Sequence, residues 1–220
     1  MRRNRVLCDQ SGNVFIIILV GIALFAALSV VVSRSMRTES ASKMTEREAA
    51  LVASEILDYG QVLARAVDRV RRKGCSENDI SFANDIVSGY EHTPVVADKC
   101  KVFHPDGGGA RWQDPPVSSF PYKIWGSDAV QGLGSDPASE LILALQLPSN
   151  QFRALCEVYN AKLGLGTTIA VGTGDEEDDV FVGTYGDAAL SINETPDQQV
   201  ACFQEDAVGS YIFYYALHVR

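Results

Sequence analysis

The side chains able to do chemistry are few in this chain, and the densest group is acidic. Five consecutive carboxylates, Asp175 to Asp179, follow Gly174. Carboxylate oxygens are hard ligands suited to calcium. Adjacent side chains cannot all converge on one ion, and alternate residues of an extended chain share a side, so Asp175, Glu177 and Asp179 are the candidate metal ligands. The spacing is not that of an EF-hand, and a solvated, self-repelling loop tip is the favoured reading over the calcium site. Three histidines, His92, His104 and His218, show no His-x-x-x-His or Glu-x-x-His spacing. There is also no Cys-x-x-Cys pair for zinc or redox work. Gly164-Leu165-Gly166 and Gly172-Thr173-Gly174 lack the further glycine and the strand-to-helix context of a phosphate loop, and no G-x-S-x-G elbow occurs. His104-Pro105-Asp106 reads as a turn. The expectation is a protein that is not an enzyme and that carries no organic cofactor, with calcium the one ion to test.

Cysteine usage indicates the compartment. Cys8 stands near the start, whereas Cys75, Cys100, Cys156 and Cys202 form an even set in the downstream part. Such a set suits disulfides in an oxidising compartment. Four cysteines allow three connectivities, of which the sequential one, Cys75 with Cys100 and Cys156 with Cys202, is the simplest. Each bridge would contribute about 3 to 4 kcal/mol by loop-closure entropy. Buried free thiols are the competing reading.

The elements that must position these residues divide the chain in four. Residues 1–12 are a short leader with Arg2, Arg3 and Arg5, and residues 13–33 are almost uninterruptedly apolar. At about 1.5 Å rise per residue, some 20 apolar residues span a bilayer. Residues 34–73 continue as an amphipathic helix: Ala49, Val52, Ala53, Ile56, Leu63, Val67 and Val70 form one apolar stripe. No proline interrupts 13–73, so one rod is expected, although Thr45-x-x-Glu48 has the form of a capping box at which the helix can restart. Gly60 is its weak point and Gly74 its C-terminal stop. Arg69, Arg71, Arg72 and Lys73 suit the negative end of the helix dipole.

Residues 74–220 read as a separate α+β head rich in strands. Glu140 to Leu147 is apolar on both faces, as a central strand would be. Gln198 to Gln204 with Tyr211 to Val219 reads as one hairpin, and Thr167 to Gly172 with Asp179 to Tyr185 as another. Lys99 to Phe103 and Tyr122 to Trp125 are shorter strand candidates. Ser149 starts a helix whose apolar side is Phe152, Leu155, Cys156, Tyr159 and Leu163, and Gly164 ends it. Between Pro105 and Pro137 lies a Gly-, Pro-, Asp- and Ser-rich stretch. Its tryptophans, Trp112 and Trp125, are the candidate ligand or partner surface.

The order leader, glycine, apolar helix and amphipathic helix resembles the N terminus of type IV pilins and of type II secretion pseudopilins. The residues that carry the likeness are Gly12, Asn13 and the run GNVFIIILVGIALFAALS. That run is also similar to the start of uncharacterised bacterial single-pass proteins. The pilin resemblance implies cleavage after Gly12 by a prepilin peptidase, methylation of Asn13, and a long N-terminal helix packed on a mainly antiparallel β head. Its implied partners are the lipid bilayer and other pilin-like subunits. Asn13 and Ile17 stand where the family has phenylalanine and glutamate. The latter difference points to a minor subunit rather than a major one. An uncleaved signal anchor is the alternative reading of the same segment.

Charge sets further bounds. The chain carries a formal net charge of −9, and residues 74–220 hold 21 acidic against 7 basic residues. Such a head is a poor match for the phosphate backbone, so no nucleic-acid partner is expected. Taken together, the sequence predicts a single-pass protein of the bacterial inner membrane, with its N terminus cytoplasmic and its head periplasmic. The expected role is that of a minor pilin or pseudopilin-like structural subunit. A membrane-anchored periplasmic binding protein with no filament role is the alternative.

Overall fold

A computed structural model describes residues 18, 20, 44–117, 119–135, 138–172, 180–186, 190–205 and 209–220. The chain separates into two compact units, Met1–Lys43 and Met44–Arg220. In the first unit Ile18 and Val20 are helical and half exposed. The Gly12-Asn13 junction and the rest of the apolar run lie outside the described residues. Among the described residues no helix is long and apolar enough to cross a membrane.

The second unit opens with helix α1, Glu46–Arg72. Thr45 is extended, at φ −64° and ψ 152°, so α1 starts afresh there instead of continuing an upstream rod. The cause is the capping box. The Glu48 backbone N–H donates to Thr45 Oγ1 at 3.3 Å and the Thr45 N–H donates to the Glu48 carboxylate at 3.2 Å, so two N–H groups that a helix start leaves orphaned are satisfied. At the other end Gly74 takes a left-handed φ of +82°, which lets the chain turn away.

Two further segments give a four-stranded antiparallel sheet and a second helix. Strands β1 (Lys123–Trp125), β3 (Leu141–Leu147), β5 (Val200–Gln204) and β6 (Tyr211–His218) lie in the order β1-β3-β6-β5. Strand β6 is central, paired with β3 from Leu147↔Tyr211 to Leu141↔His218 and with β5 from Gln204↔Tyr211 to Val200↔Tyr215. Helix α2, Arg153–Lys162, follows a 3-10 turn at Asn150–Phe152 whose first residues are capped by the Ser149 hydroxyl. A small parallel pair, β2 (Asp128–Val130) with β4 (Leu190–Ile192), completes the set. The architecture is α+β.

Alternation along the strands divides the core between the two faces of the sheet. Leu141, Leu143, Leu145 and Leu147 of β3 and Tyr211, Phe213 and Leu217 of β6 join the apolar stripe of α1 and the inner side of α2. Ile142, Ala144, Ala201, Phe203, Ile212 and Tyr214 point the other way, into a cluster with Trp125, Val130 and Ile192. Helix α1 packs tightly on the sheet at Gly60. A Cβ there would run into the Tyr215 ring, so the residue that weakens the helix by propensity is the one that lets it lie on β6.

Each edge of the sheet is met by a bridge from one of two segments, so among the described residues one expected hairpin does not form. Val171 bridges in parallel to Gln204 on the β5 edge, and Val180 bridges antiparallel to Trp125 on the β1 edge. The two segments expected to pair with each other therefore sit at opposite edges, with β3 and β6 between them. Each satisfies backbone groups there: Gly172 N–H donates to Gln204 O and Phe181 N–H to Ile124 O. Lys99 to Phe103 likewise is not a strand. It is a 3-10 turn at Asp98–Cys100 followed by a single bridge from Lys101 to Ser81.

Candidate functional site

The four downstream cysteines form two disulfides, Cys75 with Cys100 and Cys156 with Cys202. Their Cα atoms are 5.7 Å and 5.5 Å apart. The second bridge ties α2 to β5 and is reinforced by an amide clasp. Asn160 Nδ2 donates to Cys202 O and the Cys202 N–H donates to Asn160 Oδ1, both at 2.8 Å and both buried. The side-chain amide thus occupies the place a further strand would take on the β5 edge. The first bridge lies under the end of α1, where basic residues are committed to holding loops. Arg69 donates to Gly108 O, Lys73 to Gly107 O and Arg71 to Cys75 O. The Gly107-Gly108 pair lies so close to the backbone of Lys101 and Val102 that a Cβ at either would collide with it.

The two candidate tryptophans are not neighbours. Trp125 is 1% exposed and sits on the side of the sheet away from α1, because it alternates with Ile124 along β1. Trp112 belongs to the helix-side core and reaches the surface at one edge, being 8% exposed. It lines a cleft of about 530 Å³. Phe103 meets it edge-on with ring centres 5.7 Å apart, and Tyr90 lies 6.1 Å away. Burial raises the Tyr90 hydroxyl to about 12; its oxygen accepts from the Ile124 N–H at 3.2 Å. The lining carries both charge signs: Asp85 and Glu91 against Lys101 and Arg111, with His104 beside them. Exposed Ile86 belongs to the same lining, on a turn fixed by Asn84 Oδ1, which accepts from the Ile86 and Val87 N–H groups at 2.9 and 2.8 Å. An aromatic floor under a mixed-charge rim can hold an apolar group while its flanking polar groups find partners.

The other candidates have structural partners or lie outside the described residues. Asp175, Glu177 and Asp179 are outside them. Among the described residues no group of three or more His, Cys, Asp or Glu could hold a metal ion. His104 Nδ1 accepts from the Asp106 N–H at 3.1 Å, and the ring lies 3.8 Å from the Asp98 carboxylate and 3.9 Å from that of Asp106, which makes it part of a turn. His92 is buried and among the described residues its Nε2 has no partner; desolvation holds its pKa below the ordinary value. His218 Nε2 lies 3.2 Å from Glu77, which also accepts from Arg71 at 3.3 Å and from Arg220 at 3.0 Å. The His218 hydrogen bond, then Arg220 and Arg71, hold the Glu77 carboxyl below its usual range. Arg220 also stacks 4.1 Å over the Tyr185 ring. Sequence reasoning did not reach Glu77 or Asn160, since neither lies in a motif and their partners His218 and Cys202 stand 141 and 42 residues away in the chain. Neither a protein-family model, nor a curated protein, nor a solved structure matches this chain.

Proposed function

We propose that the chain is a non-enzymatic minor subunit of a pilin-like or pseudopilin-like envelope filament, processed after Gly12 and methylated at Asn13. The observation that carries this reading is the packing of amphipathic α1 along a four-stranded antiparallel sheet, with Gly60 seated on Tyr215. In this reading the apolar run 13–33 serves first as a single-pass anchor in the bacterial inner membrane. It then serves as the helix that packs among neighbouring subunits, while the disulfide-bonded unit stays periplasmic. Prepilin peptidase, the bilayer and other pilin-like subunits are the partners. The test is incorporation: the chain should copurify with sheared filaments or secretion components in its native host, and Gly12→Val should abolish that while leaving a folded, disulfide-bonded head. Equal recovery of the variant would contradict the reading.

A second reading rests on the Trp112 cleft: an anchored periplasmic binding protein with no filament role. Its discriminating feature is Trp112 at the edge of a cleft of about 530 Å³ with ionic groups around the rim. In that case Gly12 would not be cut, and the head would retain a small amphipathic ligand through purification.

A further inference from the structure

A smaller cleft of about 290 Å³ opens between one face of α1 and the 113–116 segment. Glu55, Asp58, Tyr59 and Val62 line it from the helix, at the three- and four-residue steps that share a face, and Gln113, Asp114 and Pro116 form the opposite wall. Among the described residues no lysine or arginine lines it and no ion pair joins Glu55, Asp58 or Asp114. Its base is aromatic. The Tyr59 and Tyr122 rings lie 5.0 Å apart, tilted by 36°. Tyr59 Oη accepts from the Gln113 N–H at 3.3 Å, which braces the two walls. Tyr122, which also lines the cleft, is 2% exposed, and among the described residues its hydroxyl has no partner.

A buried, unpartnered hydroxyl costs free energy, and three exposed carboxylates around an electron-rich ring pair lack a counter-charge. One ligand chemistry answers both. An alkyl ammonium or guanidinium group would donate to the Tyr122 oxygen and to the carboxylates, and would lie against the ring faces as a cation does. We infer that this cleft binds the lysine or arginine side chain of a partner protein, with Glu55 and Asp58 supplying the charge, Tyr122 the buried acceptor, and Tyr59 the ring face. The volume suits one long side chain and not a folded surface. Asp114 is a lesser contributor because the Trp112 indole N–H already points at it, at 3.4 Å.

The test uses the full chain in detergent micelles with labelled tyrosine rings, titrated with N-acetyl-arginine amide and, separately, with the neutral isostere N-acetyl-citrulline amide. The expected result is a saturable change at the Tyr59 and Tyr122 resonances with the arginine probe at millimolar concentrations and none with citrulline. Glu55→Gln with Asp58→Asn should weaken binding roughly tenfold. Both positions are exposed, so an unchanged melting temperature is expected beside that loss. Tyr122→Phe should weaken binding further without unfolding the protein, since it removes an unsatisfied group. The inference is overturned by the absence of a saturable change, by an equal response to citrulline, or by unaltered binding in the double variant. It is also overturned if spermidine binds and the capped arginine does not, which would assign the cleft to free polyamines. None of these outcomes depends on whether Gly12 is cut.

Discussion

Single residues in this unit do work that their types alone do not announce. Asn160 closes the edge of β5 by bonding both backbone groups of Cys202. Asn160→Ala would leave that N–H and C=O buried and unpaired, and should cost about 2 to 4 kcal/mol in denaturant unfolding, with increased self-association through the bared edge. Glu77 gathers Arg71, His218 and Arg220. Its carboxyl is held below the ordinary 4.5 of a glutamate. The folded state therefore binds fewer protons than the unfolded one in that range. The stabilisation is complete above the unfolded pKa and is lost as pH falls through the lower folded value. Glu77→Gln should cost about 1 kcal/mol at neutral pH and flatten the acid limb of a stability-versus-pH curve below about 4.5. An unchanged acid limb would show that the network is not coupled to folding. Gly60→Ala makes the opposite point about propensity. Alanine favours the helix by about 1 kcal/mol, yet here it meets the Tyr215 ring, so a net loss of about 1 kcal/mol is expected. In the Tyr215→Ala background the same change should become stabilising, and a double-mutant cycle measures the difference.

At the scale of elements, what was legible followed from local signals. The Thr45-x-x-Glu48 box, the Ser149 cap, the β5-β6 pairing and the doubly apolar β3 each appear where the sequence placed them, because short-range hydrogen bonds or strict alternation specify them. Tertiary pairing did not share that legibility. Strands β2 and β4 hold three residues each and pair in parallel, Asp128 with Leu190, across 60-odd residues, so no hairpin turn announces the pairing. Residues 167–172 and 180–185 look like hairpin arms by composition, but each is recruited to cover a different sheet edge. Trp112 and Trp125 read as one surface until the alternation of β1 sends Trp125 behind the sheet. The disulfides hold these elements together. Cys156 and Cys202 are 46 residues apart and Cys75 and Cys100 are 25 apart. Loop-closure entropy then gives about 4 and about 3.5 kcal/mol for the two bridges. Replacing each pair by alanine should lower stability in that order, and the Cys156/Cys202 pair should also loosen α2, seen as faster amide exchange at Cys202 and Asn160.

For the whole molecule, the proposed role is that of a processed filament subunit in which the apolar segment 13–33 precedes the disulfide-bonded α+β unit. Two features support it: the order of segments at the N terminus and the laying of α1 on an antiparallel sheet in the second unit. Its most direct test is the intact mass and N-terminal peptide sequence of the protein made in its native host. The account predicts a chain that begins at methylated Asn13, shortened by the 12 residues from Met1 to Gly12. A chain that retains those residues in a host with active prepilin peptidase would contradict it and leave a plain anchor carrying a binding head.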